Sequence, residues 1–188
     1  MNLPNGLTVT RIFLVPLLLV VLLTGKFKDR ELWGFIVFLA ASATDYFDGY
    51  LARKRLQVTT LGKLLDPVAD KVLISAALVA LVEWGVASAW MVILVIGREL
   101  AVTGLRSIAS AQGVTIDASP LGKAKMWTQV LCVSCLILGQ RDSAWLASAG
   151  QYLLWVVVIL ACASMVEYFH RFWGRIDGGA DSGSAANG

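Results

Sequence analysis

Four aspartates, Asp45, Asp48, Asp66 and Asp70, lie between residues 45 and 70 at the edges of long apolar runs. Charged groups at such places are costly and are candidates for function. At about 100° per residue, a helix carrying Asp45 sets Asp48 about 60° to one side and Gly49 about 40° to the other, with Ala52 about 20° and Arg53 about 80° away. In the next apolar segment Gly62, Asp66 and Asp70 recur every four residues and share a second stripe. A short connection makes the two segments antiparallel neighbours, so all four carboxylates can meet near one end. Carboxylates at that density repel unless a cation sits among them. An all-oxygen donor set suits Mg²⁺ or Mn²⁺ and not zinc, and Mg²⁺ usually shares its coordination with substrate phosphates. Gly49 and Ala52 leave room for a bulky group against the helix backbone. Pairing of charges between helices is the plain alternative; it accounts for one pair, not for two matched stripes.

The elements that must position these residues read as membrane helices. The chain of 188 residues is 57% hydrophobic and 15% charged, against about a quarter charged for a soluble domain. Its mean hydropathy is +0.71. Six spans are expected, at about Leu7–Leu23 with a kink at Pro16, Leu32–Leu51, Leu64–Val82, Ala89–Ala109, Leu121–Leu138 and Ser148–Phe169. The fold expected is therefore all-α, a polytopic membrane protein of six transmembrane helices with its active site at the cytoplasmic side. Residues 1–176 form one membrane domain without internal repeats, and the Gly/Ser-rich residues 177–188 a disordered tail. Lysine and arginine bias puts both termini inside, with Arg53, Lys54, Arg55, Lys63, Lys123, Lys125, Arg171 and Arg175 on the cytoplasmic side. Lys26, Lys28, Arg30 and Arg141 fall on the other. No cleavable signal sequence is expected, because the first apolar run lacks a small-residue cleavage site and is long enough to stay as a span.

The net charge of +3, without a basic stripe interleaved with aromatics, gives no reason to expect nucleic acid. Cys132 and Cys135 form a C-x-x-C inside "QVLCVSCLIL". Without a soluble βαβ context they read as small apolar residues and not as a redox pair. The single histidine, His170, ends the last span and reads as an interfacial residue.

Residues 45 to 70 match D-x-x-D-G-x-x-A-R-x8-G-x3-D-x3-D throughout, and on this motif the chain resembles the CDP-alcohol phosphatidyltransferases. The likeness extends over the six-span layout. It implies that Asp45, Asp48, Asp66 and Asp70 hold one or two divalent cations against the pyrophosphate of a CDP-linked lipid. It further implies that Asp70 is the general base for the attacking hydroxyl, that Gly49, Ala52 and Arg53 line the CDP pocket, and that the protein is a homodimer among membrane lipids. Two-metal displacement chemistry needs a phosphoryl clamp and a positioned base in any case.

Three segments bear on the acceptor alcohol. "NLPNGLTVTR" resembles the N-terminal segment of the bacterial phosphatidylglycerophosphate synthase subgroup, which places Asn5, Thr8 and Arg11 near the nucleotide end of CDP-diacylglycerol. "IGRELAVTGLR" carries Arg98 and Arg106 eight residues apart, about 80° on the wheel, so that both can face one cavity. "LGKAKMWTQ" supplies Lys123 and Lys125. Two plainer readings stay open: Arg98 neutralised by Glu99, and the two lysines as positive-inside anchors. An arginine- and lysine-rich pocket suits an anionic acceptor, and glycerol 3-phosphate fits it, with phosphatidylglycerol phosphate as the product in the inner membrane of a bacterium. Met126 stands where the subgroup often has threonine. Inositol phosphate is the alternative acceptor. A cation transporter is the alternative of another class, although transporters usually place the ion near the midplane between repeated halves.

Overall fold

The structure is a computed structural model. It describes the backbone of residues 3–25, 27–55, 60–111, 120–141 and 143–184, and side chains within 13–25, 27–44, 68–69, 71–110, 122, 124–141 and 143–170. Among the described residues the chain forms six helices and no strands: α1 (Leu3–Leu23), α2 (Arg30–Arg55), α3 (Thr60–Glu83), α4 (Ala89–Ala111), α5 (Pro120–Leu138) and α6 (Ala144–Ser184). Each expected span lies inside one of them. Charged residues at helix ends, such as Arg30 and Arg55, extend the helices beyond the apolar runs used to find them, since the backbone hydrogen-bond ladder continues where hydrophobicity stops. The α6 backbone runs past residue 176 into the Gly/Ser-rich segment.

By length and composition the clear membrane-crossing stretch among the described residues is Ala144–His170 of α6, with a mean hydropathy of 2.0. Phe13–Leu23 and Ala124–Leu138 are shorter apolar stretches. The charges of the motif and of the Arg98–Glu99 pair lower the apolarity of α2, α3 and α4.

Neighbour contacts close a ring in the order α1, α2, α5, α6, α4, α3, with α3 also touching α2 and α5 across it. Leu18 and Leu22 of α1, Phe38 of α2, Leu73 and Leu81 of α3, Val95 of α4, Leu136 of α5 and Leu154 of α6 fill the interior, all essentially without exposure. Hydroxyls within these apolar helices bond to the carbonyl four residues back: Thr44 to Ala40, Thr103 to Glu99, Thr128 to Ala124 and Ser164 to Leu160. Each polar group is thereby satisfied within its own helix.

The connections are tight. Gly85 takes a positive φ of 70°, which lets the α3 terminus close with Val86 N–H donating to the Leu81 carbonyl at 3.0 Å. Trp84 Nε1 donates to the Leu22 carbonyl at 3.1 Å, joining the ends of α3 and α1. Gln151 of α6 donates to the Val86 carbonyl. Between α5 and α6, a Cβ on Gly139 would stand 2.5 Å from the Ala147 backbone nitrogen; only glycine permits that approach. Cys132 is buried and its Sγ lies 3.5 Å from the Gly150 carbonyl, Cys135 is half-buried, Cys162 faces outward, and all three are free thiols.

Candidate active site

The motif occupies α2 and α3, which pack against each other. Asp45, Asp48, Gly49, Ala52 and Arg53 belong to about the last three turns of α2, and Gly62, Asp66 and Asp70 to about the first three of α3. Both segments are helical, so Asp45 and Asp48, and likewise Asp66 and Asp70, are each about one turn apart. The side chains of these residues lie outside the described ones, as do those of Asn5, Thr8, Arg11 and Lys123. Among the described residues no three His, Cys, Asp or Glu side chains come together as a metal site. Two packed helices carrying four carboxylates, without thiol or imidazole, make a donor set that fits a hard divalent cation.

Alongside this motif a partly open cavity of about 350 Å³ lies between α2, α3, α4 and α5. Its polar lining comes from Ser42, one turn ahead of Asp45; from Lys71, directly after Asp70, and Ser75; from Glu99 on α4; and from Lys125 and Gln129, one turn apart on α5. Much of the remaining wall is aliphatic, including Leu39, Ile74, Val95 and Val130. A polar cluster in a largely apolar, concave space is the usual form of a small-molecule site.

Glu99 organises the charge in this cavity. Its Oε1 accepts from Arg98 Nη1 at 3.1 Å and also from the Lys125 ammonium. Lys125 is only 1% exposed, so it is no interfacial anchor, and Arg98 is 7% exposed. The Arg98 guanidinium also lies 5.7 Å from the ring centre of Tyr168, a buried residue of α6, at cation–π distance. Arg98 is not part of the cavity lining and reaches it through Glu99.

Several donors here are unmatched. Arg98 Nε and Nη2 and Gln129 Nε2 are buried without a hydrogen-bond partner among the described residues, and so is the Ser42 hydroxyl oxygen. Leaving such a group unpaired costs about 1–3 kcal/mol, so the arrangement favours a ligand rich in acceptor oxygens and carrying negative charge.

Of the four cationic residues expected around the acceptor, Arg98 and Lys125 are brought together on Glu99. Arg106 is exposed and does not line the cavity. The angle between Arg98 and Arg106 is small, but eight residues also advance about 12 Å along the axis. Lys71 and Gln129 were not legible as site residues from composition; Gln129 is signalled only by standing one turn after Lys125. His170 is exposed, as expected of an interfacial residue.

Known proteins bear on this site directly. The family model described as CDP-alcohol phosphatidyltransferase matches residues 1–166. The chain is 42% identical over 184 residues to the CDP-diacylglycerol–glycerol-3-phosphate 3-phosphatidyltransferase of Bacillus subtilis, covering 92% of this chain and 95% of that one. It is 36% identical over 170 residues to the protein of the same name from Rickettsia felis, covering 89% and 93%. With the protein of that name from Salmonella choleraesuis it shares 35% over 173 residues, covering 89% and 92%. The motif on α2 and α3, the cation-bearing cavity beside it and a family match over residues 1–166 agree: this chain belongs to the CDP-alcohol phosphatidyltransferase family.

Proposed function

We propose that this protein transfers the phosphatidyl group of CDP-diacylglycerol to sn-glycerol 3-phosphate, releasing CMP and forming phosphatidylglycerol phosphate. The observation that carries the reading is the cavity lined by the buried Lys125 next to the motif helices. The names of relatives 35–42% identical over nearly the whole chain support it.

In this reading Asp45, Asp48, Asp66 and Asp70 would hold Mg²⁺ or Mn²⁺, which when bound supplies neutralisation of the pyrophosphate oxygens and of the leaving CMP. Asn5, Thr8, Arg11, Gly49, Ala52 and Arg53 orient the CDP moiety. Arg98, Lys123 and Lys125 receive the acceptor phosphate, with Lys125 inside the cavity; Arg106, exposed and about 12 Å further along α4, does not reach it. Asp70 takes the proton of the acceptor hydroxyl, whose oxygen bonds to the lipid-bearing β-phosphorus. The bond from that phosphorus to the bridging oxygen breaks, and CMP departs with the electron pair. The aliphatic walls exclude water, which would otherwise compete as the nucleophile.

The same reading makes the protein a six-span enzyme of the bacterial inner membrane, a homodimer with both termini cytoplasmic. Outward-facing Phe13, Ile93, Tyr152 and Ile159 support the lipid contact, since each is more than half exposed, and soluble monomers rarely present so much contiguous apolar surface. Exposed Trp33, Trp90 and Trp145 stand near the starts of α2, α4 and α6, a pattern that suits a membrane interface.

A CMP-release assay tests the function. Purified protein and CDP-diacylglycerol are combined with glycerol 3-phosphate, inositol phosphate, inositol or serine, with Mg²⁺ or with EDTA. Release with glycerol 3-phosphate and Mg²⁺ alone is expected. Release with inositol phosphate alone would reassign the acceptor, and release unaffected by EDTA would remove the metal from the mechanism.

A further inference from the structure

The proposed function gives Glu99 no role, yet Glu99 holds the centre of the charged cluster. One carboxylate oxygen accepts from both Arg98 and Lys125, the two described cations that the proposed function assigns to the acceptor phosphate. The geometry points to Glu99 as a resident counter-ion that stands in the position of the acceptor's phosphate and is displaced by it. This rests on the reading of the cavity as the acceptor site.

Three observations support the exchange. Arg98 is nearly inaccessible, so a state with neither carboxylate nor phosphate would strip a buried guanidinium of the anion it bonds, which is strongly unfavourable. Replacing one anion by another avoids that state. Glu99 is the partner able to leave: its side chain is 24% exposed, against 8% for Arg98 and 1% for Lys125. And the carboxylate satisfies the cluster only in part, because Arg98 Nε and Nη2 and, on the cavity wall, Gln129 Nε2 are without a partner. A phosphate monoester brings more charge and more acceptor oxygens than a carboxylate, and can take up donors that Glu99 leaves idle.

Glu99 is thus a positioning residue. It keeps the lysine and arginine charged and in place between turnovers, and it lowers the affinity for any anion that must displace it. This weakens binding of carboxylates and of monovalent anions more than that of a dianionic phosphate, so Glu99 also contributes selectivity.

The test reads inorganic phosphate binding by thermal shift of the purified protein in detergent with EDTA, alongside steady-state kinetics with Mg²⁺. For Glu99→Gln, phosphate is expected to bind about tenfold more tightly than to the wild type. The KM for glycerol 3-phosphate should fall while that for CDP-diacylglycerol stays unchanged. Without phosphate this variant should melt lower, and phosphate should restore it. The double variant Glu99→Gln/Lys125→Met, with charge balance restored, should melt near the wild type and lose the phosphate response. Unchanged or weaker phosphate binding in Glu99→Gln overturns the proposal, as does failure to recover that variant even in phosphate buffer. Recovery in phosphate buffer alone supports it. Failure of the acceptor reading would show separately, as a wild-type enzyme that releases no CMP with glycerol 3-phosphate.

Discussion

At one end of the bundle Arg30 lies 4.7 Å over the ring of Trp84 and pairs with Glu31 at 3.2 Å, while Arg141 reaches Asp29 at 3.2 Å. At the other end Arg98 and Lys125 share Glu99. Both ends consist of arginine or lysine with a carboxylate at bonding distance, and they differ in burial. Arg141 and Asp29 are nearly half exposed, so water solvates each partner if the other is removed. Such pairs contribute about 0–1 kcal/mol. The partners of Glu99 have no such refuge, and removing a buried counter-charge costs several times more. The first end is a solvated rim; the second, in the proposed function, holds charge for a ligand. Ion-pair geometry alone does not separate these roles, whereas burial and unpaired donors do.

Four substitutions test this contrast. The largest effect is expected for Asp70→Asn, which should reduce CMP release by about 10³-fold or more while leaving circular dichroism and detergent elution unchanged. Near-normal release would remove Asp70 from its role as base. Lys125→Met should lower kcat/KM for glycerol 3-phosphate by roughly 10- to 100-fold, with KM for CDP-diacylglycerol little affected. Equal losses toward both substrates would place Lys125 outside the acceptor site. At the rim end the order of effects reverses. Gly139→Ala forces the new Cβ against the Ala147 backbone and should cost about 1–3 kcal/mol in stability, read as a lower melting temperature with activity per folded molecule retained. Asp29→Asn should change stability by less than about 1 kcal/mol and leave turnover alone, and the small change should fade in high salt. If Asp29→Asn impaired turnover as much as Lys125→Met, the functional distinction between the two ends would collapse.

Much of the fold was legible because long apolar runs mark helices by their length. The start of α4 at Ala89 and the end of α5 at Leu138 coincide with the limits of the apolar runs. The start of α6 lies four residues ahead of its expected span, since Trp145 and Ala147 continue a helix that Ser148 seemed to open. The motif was legible because its spacing matches the helical turn. The cavity was not. "GKAK" fits an exposed interface anchor as well as a buried lysine, and only the packing of α5 against α2 and α3 decides between them. Glu99 could be read as a neighbour of Arg98, but its bond to Lys125 joins residues 26 apart in sequence on different helices. Wheel angles also overstated the Arg98–Arg106 relation, because an angle carries no information about height along the axis.

The Glu99–Lys125 pair has a consequence for biosynthesis. Chains emerge from the ribosome N-terminus first, so α4 is made before α5, and the carboxylate precedes the lysine it will neutralise. The α5–α6 hairpin, closed by a short turn at Gly139, can then pack against α4 with the carboxylate already made. Had the order been reversed, the lysine would have been made before the carboxylate that accepts from it.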